Sequence, residues 1–364
     1  MAALLCAGLG LGWQALTVHF NFGGNWTALF CHGSDYPVPA SLAWEHIYVF
    51  PNSGGYDGQS YHFVAHDPLC RTDICRAIPD PGLRYPRILV PGLAYLLALG
   101  RAEWIDAAFF AVNIGFLFLG AYWLAQLCPH PMWAVLYVLA PASVASLDRM
   151  LMDLAATSLC LGFAVYLRSG ATWKLWGIIA AAAICREAGF VLFAGYAIWM
   201  LGKRQFGRTA IFATALLPSL VWLWWVRANV PGATSGLPTP IPLWGVIYSE
   251  LHPRQYAYGA FWIRSLEVVQ LAGLMLGMVL ALRQWRRILP DPIRAACFLW
   301  GCLGLVMHPG FYDDPYAGAR VFTPLILFEF LSGDRFSRWP LLMATPRVWL
   351  QLGLQVLGVV RGIL

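Results

Sequence analysis

The chain has 364 residues, of which 59% are apolar and only 12% charged, and its mean hydropathy is +0.62. A soluble domain carries about a quarter charged residues and could not hide this much apolar surface, so the composition excludes an ordinary soluble fold and reads as a polytopic membrane protein. The formal charge of +6 is scattered between apolar runs, with no basic block or aromatic-interleaved stripe, which excludes nucleic-acid binding.

The N-terminal stretch MAALLCAGLGLGWQALTVHF has no Lys or Arg before its hydrophobic run. It lacks the n-region of a secretory signal and reads as a retained first helix. Apolar runs follow at about 88–99, 105–127, 132–147, 154–167, 174–201, 209–227, 262–282, 295–308, 321–332 and 347–364. With the first, at about 2–18, they predict an all-α helical bundle of about 10–11 membrane segments, a single transmembrane domain over 1–364. Several runs are shorter than the roughly 20 residues of a straight span, which predicts tilted, broken or half-depth helices around a polar cavity.

Short Arg/Lys-rich loops at 202–208, 283–294 and 333–339 are cytoplasmic by the positive-inside rule. Alternation then puts the long loops 19–87 and 228–261, and the short 308–320, on the opposite face. If 88–99 and 132–147 both cross, 147–153 is cytoplasmic. If one only dips in, 147–153 joins the outer face and 174–201 becomes two short helices meeting at Arg186 and Glu187. The second arrangement is the expected one, because it keeps Asp148 and Asp153 outside and puts Arg168 and Lys174 inside.

Within the first loop, PASLAWEHIYVF reads as a short interfacial helix capped by Ser41, or as an irregular packed loop. Cys31, Cys70 and Cys75 share that loop, so one disulfide is open to it, Cys70 to Cys75 or Cys31 to either, with free thiols the alternative. The other six cysteines lie in or beside apolar runs, where a thiol packs as a small hydrophobe. The segment 230–242 is Pro/Gly-rich and reads as a loop over the outer mouth.

The chemistry-bearing residues cluster in GGYDGQSYHFVAHDP, residues 54–68, and in LRYPRILVP just after it. Asp57 in Tyr-Asp-Gly-Gln reads either as a general base or as a turn carboxylate capping its own backbone, and Asp67 before Pro68 as a turn or helix cap. Arg84 and Arg87 stand three apart at a helix start, suited to gripping phosphate oxygens or to snorkelling. Arg186 and Glu187 interrupt an apolar run where an ionised side chain costs at least about 2.5 kcal/mol, so each needs a partner. Arg320, after Asp313 and Asp314, is a further phosphate-binding candidate. His62 and His66, four apart, have no third ligand beside them and read as hydrogen-bonding groups; no cofactor is expected, and a divalent metal is left open but not indicated.

The first helix, the long loop with YDGQSYHFVAHDP and the entry LRYPRILVPGLAYLLA together resemble the GT-C superfamily of polyprenyl-phosphate-sugar glycosyltransferases, especially its mannosyltransferase-like bacterial membrane members. Sharp residue matches are confined to about 54–99. The resemblance implies a multi-pass protein of a bacterial inner membrane with a periplasmic site. It implies inverting transfer of a sugar from a lipid phosphate to a saccharide or lipid hydroxyl, with Asp57 as base and Asp35 in reserve. Arg84, Arg87, Arg186 and Arg320 would hold the donor phosphate, and Tyr56, Gln59, Tyr61, His62, Asp67, Glu187 and Tyr316 would line the pocket. A transporter or flippase for an anionic lipid or lipid-linked solute and a non-catalytic membrane scaffold are the alternative readings.

Overall fold

The computed structural model describes residues 1–232, 239, 241–256, 258–314 and 316–364. α1 (Ala2–Phe22) is mostly apolar, with Gln14 and Thr17 buried on its packed side, and stops where Gly23 turns left-handed at φ 59°, a conformation that costs glycine no steric strain. The first loop then condenses into small elements. β1 (His32–Gly33) pairs in parallel with β2 (Val49–Phe50), and α2 (Asp57–His66), α3 (Ile74–Ala77) and α4 (Pro81–Arg84) follow. A disulfide joins Cys70 to Cys75, while Cys31 stays a buried free thiol. Of the two readings of PASLAWEHIYVF the packed loop is the nearer: Ala40–Glu45 is a 3-10 turn that ends at a left-handed His46, and the Ser41 hydroxyl bonds Asp73 instead of capping a helix.

The membrane-type helices come next. α5 (Leu89–Leu97) has 9 residues, about 14 Å at 1.5 Å each, too short to cross. α6 (Ala102–Leu127) is long and packs on α1. The 3-10 stretch Pro131–Leu139 and α7 (Pro141–Arg149) meet at a bend of 50°, each opening on a proline. α8 (Asp153–Ser169), α9 (Thr172–Cys185) and α10 (Phe190–Gly202) follow, then α11 (Phe206–Ala213), which continues through a 3-10 turn into α12 (Leu217–Asn229). α13 (Trp244–Leu251), α14 (Ala260–Arg283), α15 (Pro292–Leu305), α16 (Ala317–Ser332), α17 (Trp339–Leu350) and α18 (Gly353–Ile363) complete the chain. Of the stretch 230–242, residues 233–238 and 240 lie outside the described residues, as do 257 and 315.

Among the described residues four helices are long and apolar enough to cross a membrane, five if the bent pair counts as one span. This is an all-α, multi-pass membrane architecture. The eleven apolar runs do not translate into eleven full spans, because polar residues and prolines cut them. The run 174–201 breaks at Arg186 into α9 and α10, and 347–364 is split by Gln351 and Leu352 between α17 and α18. Large apolar side chains left exposed, such as Leu4, Trp224 and Phe261, suit contact with lipid rather than water. Phe109, Phe163 and Phe322, all fully buried, belong to one core shared by helices on both sides of the break.

Candidate functional site

Asp57 opens α2. Its placement is fixed from behind: Gln59 accepts the Gly33 N–H (3.1 Å) and donates to the Gly54 carbonyl (2.9 Å), and the Tyr56 N–H donates to the Cys31 carbonyl (2.9 Å). Gly58 is required by contact, since a Cβ there would stand 2.0 Å from the Arg149 carbonyl oxygen. The Asp-Gly pair is therefore not a free-standing turn. It is the point where the first loop is pressed onto the end of α7.

The Asp57 carboxylate turns away from its own backbone. Oδ1 meets Arg84 Nη2 at 2.8 Å and Oδ2 meets Arg320 Nη2 at 2.7 Å. Arg320 Nη1 reaches Asp153 Oδ2 at 3.3 Å, and the other Asp153 oxygen pairs with Arg186. Arg87 binds both oxygens of Glu187, at 3.0 and 3.1 Å, and donates to the Tyr61 hydroxyl at 2.9 Å. Arg186 and Glu187, adjacent in sequence, thus take separate partners, and the helix break lets them do so. Four guanidinium groups (Arg84, Arg87, Arg186, Arg320) face three carboxylates (Asp57, Asp153, Glu187), a surplus of one positive charge.

Each member is held by its own support. Tyr85, next to Arg84, is pinned at both ends, its hydroxyl on the Asp67 carbonyl (2.8 Å) and its own carbonyl under the Trp222 indole N–H (2.7 Å). The Leu154 N–H at the start of α8 donates to Ser146 of α7 (3.0 Å), which sets Asp153. Pro324 cannot donate to the carbonyl of Arg320, one turn back, so α16 is loosened where the guanidinium must reach out. Beside these groups Tyr56 donates to Asp314 (2.9 Å) and lies under Arg320, 5.1 Å from the ring centre. Tyr316 donates to Asp148 (2.7 Å), which also takes Gln355 (2.6 Å) and pairs with Arg149 (3.3 Å).

Burial alone would raise the Asp57 carboxyl, but Arg320 and Arg84 outweigh it and hold the group well below the usual carboxylate range. Burial keeps the Tyr56 hydroxyl protonated, its pKa pushed well above the ordinary value against the pull of Arg320. The space among Asp153, Arg186 and Arg320 is about 10 Å³, room for about one water. The charges are closed on one another, so any anion entering must take over guanidinium contacts now held by carboxylates.

Several expected site residues lie elsewhere. Asp35 is exposed on the turn beside Gly54 and makes no ion pair among the described residues. Asp67 is spent on its own loop, accepting the Arg71 and Thr72 N–H groups at 2.8 Å each, the capping alternative for Asp-Pro. Gln59 braces the glycine turn rather than facing the arginines. His62 belongs to a different cluster with His66, Glu45 and Asp106, so the histidine pair does have further ligand-type neighbours, brought from distant parts of the chain. Burial lowers the His62 pKa, but Asp106 and Glu45 push it up to about 10.

Asp153 was not among the expected site residues, although an acidic residue beside an apolar run carries the same warning as Arg186. Comparison with protein-family models, with curated proteins and with solved structures finds no match to this chain.

Proposed function

We propose that the chain transfers a sugar from a polyprenyl-phosphate donor to an acceptor hydroxyl with inversion at the sugar carbon. The observation that carries this reading is the Asp57 carboxylate set between Arg84 and Arg320, with Arg186 and Arg87 close behind. In the reaction the acceptor oxygen bonds to the anomeric carbon as the carbon–oxygen bond to phosphate breaks. Asp57 takes the hydroxyl proton, and the lipid phosphate leaves as an anion that needs no protonating acid. Arginines already gathered in a water-poor site would stabilise that anion. Along α16, seven residues or about 10 Å from Arg320, Leu327 lines an apolar groove of about 420 Å³ with Tyr137, Phe330 and Trp349, suited to a hydrocarbon tail.

Purified protein incubated with radiolabelled polyprenyl-phosphate sugars and candidate acceptors tests the proposal. Transfer is expected from the wild type and a loss of at least about 100-fold from Asp57→Asn, the lower end of what a general base contributes. The variant's fold is checked by its elution and thermal unfolding. Unchanged transfer by a folded Asp57→Asn protein overturns the assignment. The break at Arg186 between two short helices also suits a carrier of anionic lipid. Movement of intact lipid-linked sugar across vesicles, without transfer, would favour that reading instead.

A further inference from the structure

Outside the arginine cluster, four metal-ligating side chains from three separate segments converge on one point. They are Glu45 at the end of the 3-10 turn, His62 and His66 one turn apart on α2, and Asp106 near the start of α6. Their ligand atoms all lie within 4.8 Å of one another. His62 Nε2 stands 3.2 Å from Glu45 Oε1 and 2.8 Å from Asp106 Oδ1, and His66 Nε2 stands 3.4 and 3.6 Å from the same two oxygens. A tetrahedron of nitrogen and oxygen ligands at about 2.0–2.1 Å from zinc has edges of about 3.3 Å. The four observed edges straddle that value.

Hydrogen bonding accounts poorly for the arrangement. His62 Nε2 faces two carboxylates with at most one proton to give. His66 Nε2, on a side chain only 2% exposed, stands within ion-pair distance of both oxygens but makes no well-formed hydrogen bond to either. Glu45 Oε2 is likewise buried and makes no hydrogen bond. The rings are also prepared from behind. His62 Nδ1 is 2.9 Å from His32 Nε2, and Phe30 stacks on the His62 ring at 4.1 Å and 18°. Such an outer contact fixes which nitrogen faces an ion.

We infer that Glu45, His62, His66 and Asp106 form a structural site for one divalent cation, with zinc the best fit to two imidazoles and two carboxylates in tetrahedral array. Two carboxylates balance a dication, so the filled site is neutral in a buried setting. The ion ties the first loop to α6 at the far end of α2 from Asp57. The site does not depend on the transfer reaction, and its failure would leave that reading untouched.

The test is elemental analysis of wild-type protein purified without a polyhistidine tag, joined to X-ray absorption of the bound ion. The expected result is about one zinc per chain with nitrogen and oxygen ligands only. Protein stripped with a chelator should regain its thermal stability when zinc chloride is added, and His66→Ala should show no such recovery. His32→Ala, which keeps all four ligands, should weaken zinc about 10- to 100-fold. Wild-type protein that stays substoichiometric after incubation with zinc chloride overturns the site. Sulfur among the ligands, or undiminished zinc in His66→Ala, overturns it as well.

Discussion

Two guanidinium groups hold the Asp57 carboxylate at 2.8 and 2.7 Å, and a carboxylate so held is a weak base. For the proposed transfer it becomes effective when the donor phosphate draws Arg84 and Arg320 toward itself. In the free protein its pKa is depressed, so the acid limb of kcat/KM should lie below about pH 4, where an unperturbed Asp would titrate. Arg84→Gln should move that limb upward toward the ordinary Asp value, and a pH profile of both proteins checks it. The stability term has the matching sign. The Asp57 pairs stabilise fully above the unfolded pKa and are lost as pH falls through the folded one. Asp57 and the four arginines were legible in the sequence because charge in an apolar chain is conspicuous. Asp153 was not, since a helix-start Asp already has an ordinary explanation as a cap. Glu45 and Asp106 were hidden by distance along the chain, 17 and 44 residues from His62.

At the scale of elements, the first loop is a set of short pieces that share a small core, Leu42, Phe63, Ile74 and Ile78 packed with Val226 and Val230, and that are tied by cross-links. The Cys70–Cys75 disulfide closes a short ring beside the loop that Asp67 caps and that Tyr85 leans on. A ring this small is worth about 2 kcal/mol by loop-closure entropy, so Cys75→Ser should lower thermal stability by that order. Thiol labelling of the unfolded wild type without reductant should find seven free cysteines. The sequence showed where apolar runs begin and end, because hydropathy is a property of the residues themselves. It did not show which runs cross. α5 is cut short at Leu97, and α17 and α18 share one apolar run, outcomes decided by what each helix packs on. The break at Arg186 was readable, since an Arg-Glu pair in an apolar run has no partner on its own helix.

Across the whole molecule, the charged centre is assembled from residues that are far apart in the chain: Asp57 and Arg320 are separated by 263 positions. Two pairs are nearer in sequence: Asp57 with Arg84 inside the first loop, and Asp153 with Arg186, which stand at the two adjoining ends of the α8–α9 hairpin. In a reporter of membrane integration, the α8–α9 hairpin should insert better with both residues than with Asp153→Leu or Arg186→Leu alone, since each single change strands the other charge. Restored insertion in the double variant would support the pairing, and equal insertion of all four would refute it. The same geometry orders events during synthesis. The partner of Asp153 is translated right after α9, whereas Asp57 lacks its second guanidinium until α16 has been translated. Before α16 is made the centre sets three carboxylates against three guanidinium groups, so the surplus positive charge arrives only with Arg320.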